Sequence, residues 1–348
     1  MTNDDTRPRV FSGIQPSGDL HLGNYLGANR NWVTLQDQYR CIFCVVDYHA
    51  ITQDYDVKAM PKRVHEMVVD LLAIGVDPER STLFLQSMVP EHTELCWVFN
   101  AVTGFGDLER MTQFKDKSEG REFVSAGLFT YPVLMAGDIL LYQTDLVPIG
   151  DDQRQHLELA RDVAERFNFR YGETFRVPGG VFPEIGGRIM DLQEPTNKMS
   201  TSTSSEQGAV YVGDPPDAIR KKFKSAVTDS GREVRYDPQE KPGVSNLLEI
   251  MSVATGEAID ALERRFEGSG YGDLKEAVGE SVVTLLTPIR ERFEALRADE
   301  RELQRLLGVG AEKARRASEP TLELMYDRMG FVRAEAGRFF GAARPRGL

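Results

Sequence analysis

The first half of the chain alternates short, unbroken apolar runs with longer segments whose apolar residues recur at helical spacing. The runs at 10–14, 41–47 and 82–85 predict strands. The segments 25–35 and 60–75 predict helices, and the second has one apolar face. This alternation is typical of parallel strands with helical crossovers, and unbroken apolar runs indicate strands that are covered on both faces.

After about residue 203 the pattern becomes entirely helical, so an α/β domain is followed by an all-helical one. Helices are predicted at 244–254, 258–266, 274–296, 301–307 and 311–329. The segment Asp214-Pro215-Pro216 is a good helix start, with an N-cap followed by proline. Pro288 is expected to kink or divide its helix. The Ser- and Thr-rich segment 195–208 predicts a loop between the two domains.

The composition is that of a folded protein of 348 residues, 41% apolar and 28% charged, which is ample for two domains. Residues 1–9 are polar and lack the apolar stretch of a signal peptide. The longest apolar-rich stretch, 127–142, is too short to span a bilayer and contains Asp138. We therefore expect no membrane association.

The cysteines indicate a reducing compartment, because an odd number without a secretory signal fits a cytoplasmic protein. Cys41, Cys44 and Cys96 are the three. The spacing of Cys41 and Cys44 also occurs in metal and redox pairs. Both lie in a predicted strand, however, where an offset of three residues puts them on opposite faces. We expect two small core residues and no metal site.

The net charge of −12 argues against indiscriminate binding to nucleic acid, which depends on Lys and Arg facing phosphates. An acidic protein that binds nucleic acid has to concentrate its basic residues in local patches. Residues 220–224 form one candidate patch. A solvated helix face explains this short run equally well, and the sequence leaves both interpretations open.

One candidate anion site follows the first predicted strand, at Ser17-Gly18-Asp19-Leu20-His21-Leu22-Gly23-Asn24. A helix that begins after a parallel strand presents free backbone N–H groups and a favourable dipole to an anion. The segment lacks the G-x-G-x-x-G dinucleotide fingerprint. His21 and Asn24 are three residues apart and share a helix face, and Gly23 allows a flat ring to approach the backbone.

Two short segments resemble the signatures of class I aminoacyl-tRNA synthetases. His21-Leu22-Gly23-Asn24 resembles the HIGH signature in its HIGN form, and Lys198-Met199-Ser200-Thr201-Ser202 resembles the KMSKS loop. Either segment alone is a weak signal, but the two occur in the expected order at the start and end of an α/β domain. The resemblance implies a Rossmann-like parallel sheet in a catalytic domain over 1–202. A helical domain that binds the tRNA anticodon is implied over 203–348, with a last helix that can pack back on the catalytic domain.

The resemblance also implies a reaction with ATP that needs no protein nucleophile. The carboxylate of an amino acid attacks the α-phosphorus, so the protein has to position the reactants and neutralise phosphate charge, with Mg²⁺ sharing that role. The implied catalytic residues are Gln15, His21, Asn24, Lys117 and Lys198. The implied ATP contacts are Gln15, Pro16, Ser17, Gly23, Asn24, Gly150, Asp151, Asp152, Ile189, Lys198, Met199, Ser200, Thr201 and Ser202.

A second motif, at 129–142, predicts a buried helix with Pro132 in its first turn. At 100° per residue, Tyr131, Met135, Asp138 and Tyr142 fall on one face. A buried carboxylate without a partner is costly, and an indole N–H, which is a donor only, could satisfy it. From the residues alone, pairing of Asp138 with an Arg, a Lys or a helix end remains open.

The same stretch resembles the tryptophan-specific members of the family. By that resemblance Asp138 binds the indole nitrogen, and the other implied contacts to L-tryptophan are Phe11, His49, Tyr131, Met135 and Gln153. The match extends from about residue 10 to about residue 317 and implies tRNA(Trp) as partner and a homodimer. Thr201 replaces the second lysine of KMSKS, so Lys117 and Lys198 are expected to carry more of the pyrophosphate charge.

Two other functions remain open. A tyrosine-specific synthetase is one, because a phenol can also donate to Asp138. A synthetase-like paralogue with a binding or regulatory role is the other, and both Thr201 and the acidic net charge motivate it weakly.

Overall fold

Five parallel strands form one sheet in the computed structural model, which describes residues 6–16, 18, 20–26, 30–52, 54–150, 153–181, 189–200 and 204–332. The strands are β1 (Arg9–Ile14), β2 (Arg40–Val45), β3 (Thr82–Leu85), β4 (Leu146–Pro148) and β5 (Gly179–Val181). Their order in the sheet is β3-β2-β1-β4-β5. The predicted parallel sheet is therefore confirmed, and the three strands predicted from apolar runs match β1, β2 and β3.

The strand order reverses between β1 and β4, where the chain first adds strands on one side and then on the other. In sheets of this kind, ligands bind at the carboxyl ends of the strands beside such a switch point. Ile14, Val45 and Leu85 end their strands at the same edge, because Ile14 pairs with Val45 and Val45 with Leu85. Side chains that follow these strands are therefore brought close to one another.

Nine helices lie among the described residues of the first half. They are α1 (Leu22–Asn24), α2 (Arg30–Gln38), α3 (Asp47–Ala50), α4 (Met60–Ile74), α5 (Glu91–Asn100), α6 (Phe105–Glu109), α7 (Thr112–Ser118), α8 (Ala126–Leu140) and α9 (Arg154–Tyr171). The helix predicted at 25–35 overlaps α2 over residues 30–35, and its residues 27–29 lie outside the described part of the chain. The helix predicted at 60–75 matches α4, which ends where Gly75 adopts the left-handed conformation that glycine favours (φ 112°).

The described residues of the second half form five more helices. They are α10 (Pro216–Lys224), α11 (Pro242–Thr255), α12 (Ile259–Arg265), α13 (Tyr271–Arg297) and α14 (Glu300–Met329). The predicted division at Pro288 is wrong, because α13 is continuous through it. The two helices predicted at 301–307 and 311–329 are one helix, α14. Packing of α13 against α4, α10 and α11 offsets the hydrogen bond that proline cannot make.

The sheet is covered on both faces, as the unbroken apolar runs predict. Residues of β1–β3 alternate between two buried clusters, and α10–α13 pack on one side while α5, α8 and α9 pack on the other. Cys41 belongs to the first cluster and Cys44 to the second, which confirms that they lie on opposite faces. Burial raises the pKa of Cys41 to about 12 and that of Cys44 well above its ordinary value, so both thiols stay protonated.

Helix α14 packs against β3 at Gly310. A Cβ at this position would overlap the carbonyl oxygen of Leu83, so only glycine allows the helix to approach so closely. Lys313 Nζ donates to the carbonyl oxygen of Pro78 at 2.7 Å and extends the contact. The last helix is thus held on the sheet. A domain boundary at residue 202 stays a prediction.

Helix α8 begins earlier than the sequence indicates. Ser125 caps it by accepting a hydrogen bond from the backbone N–H of Leu128 at 3.1 Å, so Pro132 lies inside the helix and not in its first turn. Tyr142 lies just beyond the last helical residue, Leu140. Within the described part of the chain, no helix combines the length and apolar character needed to cross a membrane.

Helix α10 carries the basic run 220–224, which does not form a uniform basic surface. Lys222 is buried and donates to the carbonyl oxygen of Ala209 at 2.8 Å and to Asp214 at 2.7 Å. Arg220 pairs with Asp217 and Glu280. Asp214 therefore binds Lys222 and does not cap the helix, whose N-cap is Pro215.

Candidate active site

The first signature forms the start of α1, where His21 is the N-cap. Its Nδ1 accepts a hydrogen bond from the backbone N–H of Asn24 at 3.2 Å. The backbone on either side is bound to residues that follow the second signature in sequence. Leu22 N–H donates to the carbonyl oxygen of Val210 at 2.7 Å, and Val212 N–H donates to the carbonyl oxygen of Leu20 at 2.9 Å. The sequence reasoning placed His21 and Asn24 on one helix face, and the structure joins them directly.

The imidazole of His21 is buried and neutral. Burial, with the ammonium of Lys198 as a second cause, lowers the pKa of His21 from 6.5 to about 4. Because Nδ1 accepts from Asn24, the proton of the neutral ring belongs on Nε2. His21 can therefore donate one hydrogen bond from Nε2 without carrying a charge.

The second signature lies in a loop that is bound to the helical half of the protein. Met190 and Lys198 form an antiparallel bridge, and Met199 N–H donates to Ile189 at 3.1 Å. Asn246 of α11 holds this loop with two hydrogen bonds to the main chain of Met190, accepting from its N–H at 2.8 Å and donating to its carbonyl at 3.0 Å. Lys198 itself is exposed, so its ammonium is accessible to a ligand.

The two signatures meet at Gly23. A Cβ on this glycine would lie 3.4 Å from Cβ of Met199, 3.0 Å from Nδ1 of His21 and 3.1 Å from Cε1 of His21. Met199 and Ile189 are both buried. The contact brings together six residues implied as ATP or catalytic residues, which are His21, Gly23, Asn24, Ile189, Lys198 and Met199.

Asp138, on α8, is the centre of a buried hydrogen-bond network. Its Oδ1 accepts from Gln86 Nε2 at 2.7 Å and lies 2.6 Å from His92 Nδ1, and its Oδ2 lies 2.7 Å from His49 Nε2. His92 Nε2 in turn lies 2.8 Å from the hydroxyl of Tyr142. The carboxylate is 1% exposed.

Protein side chains already bind the Asp138 carboxylate, so the pairing that the sequence leaves open is present, although with different partners. Its protein partners are two histidines and a glutamine, and not the Arg, Lys or helix end considered from the sequence. A carboxylate offers about four lone-pair positions, and Asp138 uses three of them, two on Oδ1 and one on Oδ2. Oδ2 can therefore accept one further hydrogen bond.

The carboxylate is held in its ionised form. Burial raises the pKa of Asp138, but the hydrogen bonds that His49 and His92 make to the carboxylate outweigh burial and hold the pKa below its ordinary value. An ionised carboxylate accepts hydrogen bonds and donates none.

Aromatic side chains line this network on two sides. Tyr131 lies edge-on to His49 with ring centroids 6.2 Å apart, and its hydroxyl contacts His156 at 2.8 Å and Gln113 at 3.1 Å. Lys117 Nζ lies 5.0 Å from the centroid of the Tyr131 ring. Phe11 of β1 stacks on Tyr142 with centroids 5.8 Å apart.

His49 thus contacts the buried Asp138 carboxylate, Tyr131 lies against His49, and Lys117 lies over Tyr131. Phe11 joins the group through Tyr142. Met135 is half-buried on α8, one helical turn from Asp138. Gln153 is the N-cap of α9, and its backbone N–H donates to Gly150 at 3.0 Å.

Strand β1 connects the two groups of residues. It contributes Phe11 to the Asp138 group, and the chain continues from its carboxyl end through Gln15 and Pro16 to His21. The carbonyl oxygen of Ser200 accepts a hydrogen bond from the backbone N–H of Ser204 at 3.2 Å. The other implied residues lie outside the described part of the chain; they are Ser17, Asp151, Asp152, Thr201 and Ser202. The functional roles of all these residues stay predictions.

Sequence reasoning missed Gln86 and His92. Gln86 directly follows β3, and His92 lies in the first turn of α5, close behind it. The rule that ligand-binding residues follow the carboxyl ends of parallel strands points to both positions. His156 and Gln113, which bind the Tyr131 hydroxyl, carried no such signal, because neither follows a strand directly.

The chain is similar in sequence and structure to one group of known proteins. The model of the family described as tRNA synthetases class I (W and Y) matches residues 3–287. The tryptophan–tRNA ligase of Mycobacterium leprae (strain TN) is 52% identical over 331 residues, covering 93% of this chain and 96% of that protein.

Two crystal structures extend the similarity to the fold. Tryptophanyl-tRNA synthetase from Mycoplasma pneumoniae superposes with a TM-score of 0.86 at 38% identity, covering 93% of this chain and 98% of that one. The enzyme from Campylobacter jejuni, complexed with ADP and tryptophan, gives 0.80 at 35% identity, covering 92% of this chain and 99% of that one. The chain belongs to the class I tRNA synthetases for tryptophan and tyrosine (W and Y), and within them to the tryptophanyl-tRNA synthetases.

Proposed function

We propose that this protein activates L-tryptophan with ATP and transfers it to tRNA(Trp). The carboxylate of tryptophan attacks the α-phosphorus of ATP, diphosphate leaves, and the terminal ribose of the tRNA then displaces AMP from tryptophanyl-adenylate. The observation that carries the proposal is Asp138, a buried, ionised carboxylate among aromatic rings with one acceptor position to spare. The relatives named for tryptophan support the same substrate.

The residues around Gly23 bind and neutralise the phosphates of ATP. His21 donates from Nε2 to a phosphate oxygen, because its Nδ1 is already occupied by Asn24. Lys198 supplies a cation next to this donor, and the side chain of Asn24 supplies a further donor. The similar enzyme that was crystallised with ADP supports an adenine nucleotide as a ligand. The adenine contacts Ile189 and Met199, and the ribose contacts Gly150.

Lys117 supplies the second cation of the site. Its position over Tyr131, which lies against His49 of the Asp138 group, supports a role between the tryptophan carboxylate and the phosphates. Tyr131 and Gln153 hold the amino end of tryptophan, and Phe11, His49 and Met135 line the indole pocket. Burial raises the pKa of Tyr131 to about 12, so its hydroxyl keeps its proton for hydrogen bonding at physiological pH.

Mg²⁺ belongs to the proposal as a companion of ATP. Within the described ranges, no group of three or more His, Cys, Asp and Glu side chains is arranged to hold a metal ion. The described residues therefore offer no protein cage for Mg²⁺, and we assign it no protein ligand and no step.

The assembly and location follow the family. We propose a homodimer in the cytoplasm. Large aromatic side chains on α5, α6 and α9 support an association surface, because Trp97, Phe105 and Phe169 are 77%, 70% and 95% exposed. Three free cysteines support a reducing compartment.

Exchange of labelled diphosphate into ATP tests the proposal. Exchange should depend on tryptophan, and tyrosine should support it far less well. Equal or better exchange with tyrosine would favour the tyrosine-specific alternative. Charging of tRNA(Trp) separates the proposal from a binding or regulatory paralogue, which would bind tryptophan and ATP but charge tRNA poorly.

A further inference from the structure

His92 is a fully buried histidine that the proposed reaction does not use. It is 0% exposed, and both of its ring nitrogens are engaged by side chains. Nδ1 lies 2.6 Å from Asp138 Oδ1, and Nε2 lies 2.8 Å from the hydroxyl of Tyr142. The residue therefore links the Asp138 carboxylate to the aromatic wall, because Tyr142 stacks on Phe11.

When the His92 ring is neutral, one arrangement of protons satisfies the contacts from Tyr142 through His92 to Asp138. Burial above all, together with the Asp138 charge, raises the pKa of Tyr142 well above its ordinary value, so its hydroxyl is protonated and can donate. The Tyr142 hydroxyl donates to Nε2 of His92, which leaves the ring proton on Nδ1 to donate to Asp138. The order Tyr142, His92, Asp138 is thus a one-directional chain of donors that ends on the carboxylate.

This chain of hydrogen-bond donors determines which acceptor position Asp138 presents to a ligand. Gln86 and His92 together occupy Oδ1, and they fix the plane of the carboxylate because they bind the same oxygen from two elements, the end of β3 and α5. Oδ2 is held from one side by His49. A ligand then meets a single open acceptor position on a carboxylate that cannot rotate and has no proton to offer.

We propose that His92 is a positioning residue for specificity: by fixing Asp138 as an oriented acceptor, it makes the site select a ring that carries an N–H over the same ring without one. The inference rests on the proposed contact between Asp138 and the indole nitrogen. His92 acts through Asp138 and does not itself touch the substrate.

The test compares tryptophan with β-(3-benzothienyl)alanine, in which sulfur replaces the indole N–H and the ring is otherwise the same shape. The ratio of the kcat/KM values for tryptophan and for this analogue, measured by diphosphate exchange, is the preference for tryptophan. It reports how much the contact between the indole N–H and the protein contributes to selectivity. His92→Leu removes the donor to Asp138, and His92→Asn restores an amide N–H near the position of Nδ1. Tyr142→Phe removes only the donor to Nε2. Phe99→Leu, on the same helix α5 and packed against Phe167 and Phe175, is a destabilising control that leaves Asp138 alone.

We expect His92→Leu to lower the preference for tryptophan about tenfold, and His92→Asn to recover most of it. Tyr142→Phe should lower the preference by a smaller factor, and Phe99→Leu should leave it at the wild-type value. A merely structural role for His92 would lower both kcat/KM values together and keep their ratio, which would overturn the proposal. If His92→Leu fails to fold, Tyr142→Phe still tests the proposal. An unchanged ratio of the two kcat/KM values in Tyr142→Phe would contradict the donor chain from Tyr142 through His92 to Asp138.

Asp138→Asn distinguishes this inference from the proposed function beneath it. Loss of the preference in Asp138→Asn, with no change in His92→Leu or Tyr142→Phe, refutes the role of His92 and keeps the indole contact. An unchanged preference in Asp138→Asn refutes the indole contact and the role of His92 together.

Discussion

Met199 of the second signature packs against Gly23 of the first, with only a hydrogen on Gly23 between the helix start and the Met199 side chain. Nearly the whole catalytic domain separates the two residues in sequence. The contact explains why the two short motifs form one site: the chain returns from the far side of the sheet and places Lys198 where its charge reaches His21.

Gly23→Ala tests this close approach. The new Cβ would lie 3.0 Å from Nδ1 of His21, which must move and weaken its hydrogen bond to Asn24. Strain of this kind costs about 1–3 kcal/mol, so kcat/KM for ATP should fall by about tenfold or more in diphosphate exchange. Gly213→Ala is the control, because a Cβ there meets no atom within 4 Å. Equal kinetics in the two variants would mean that the contact is not needed.

Asn246→Ala tests the attachment of the second signature to α11. The change removes two hydrogen bonds to Met190, which pairs with Lys198, so the lysine should be held less well. Two hydrogen bonds at about 1 kcal/mol each correspond to a rise in KM for ATP of up to roughly thirtyfold, with KM for tryptophan unchanged. Asn246→Asp keeps the acceptor and loses the donor. Its KM for ATP should therefore fall between those of the wild type and Asn246→Ala. Parallel rises in both KM values would indicate general loosening of the fold.

The depressed pKa of His21 makes stability depend on pH. The folded-state pKa of about 4 lies below the ordinary 6.5, so the unfolded chain takes up a proton on this ring first as pH falls. The stability that the fold gains from a neutral His21 is fully present above pH 6.5, and it is lost progressively as the pH falls from 6.5 to 4. His21→Asn keeps a good N-cap but does not titrate.

Urea unfolding of the two proteins measures this effect. Between pH 7 and pH 4 the wild type should lose up to about 3 kcal/mol more unfolding free energy than His21→Asn. Parallel losses in both proteins would show that His21 titrates normally in the folded state.

Gly310→Ala tests the close packing of α14 against β3. A Cβ there would overlap the carbonyl of Leu83, so the helix must shift away from β3 and unfolding free energy should fall by about 1–3 kcal/mol or more. Gly308→Ala, in the same helix, meets no atom within 4 Å and should be neutral or stabilising by up to about 1 kcal/mol. Chemical denaturation of both variants measures the difference. Equal stabilities of Gly310→Ala and Gly308→Ala would mean that α14 does not pack closely against β3 at Gly310.

The sequence predicted those parts of the fold whose signal is local. The strands that contain Ile42 and Phe84 are predictable because each is almost entirely buried, and β1 is predictable from its buried residues around Phe11. The predicted division at Pro288 and the predicted gap between residues 307 and 311 do not occur, because packing against other elements offsets the poor helix propensity of proline and of the glycines in that gap. Such packing partners are distant in sequence and carry no local pattern.

In the candidate site, too, the residues within sequence motifs are predictable, and those contributed by elements distant in sequence are not. His21, Gly23 and Lys198 were predicted because they belong to motifs, and the structure brings them together. Asp138 was predicted on an apolar helix face, but its partners were not, because Gln86 and His92 reach it from another strand and helix. Only the strand order, which brings the end of β3 to the same edge as β1 and β2, reveals that they meet.

A crystal structure with bound tryptophan tests the central claim most directly. We predict the indole nitrogen at hydrogen-bond distance, about 2.7–3.2 Å, from Oδ2 of Asp138, with His49, Gln86 and His92 still on the carboxylate. An indole that lies elsewhere, with Asp138 bound only by its three protein partners, would contradict it.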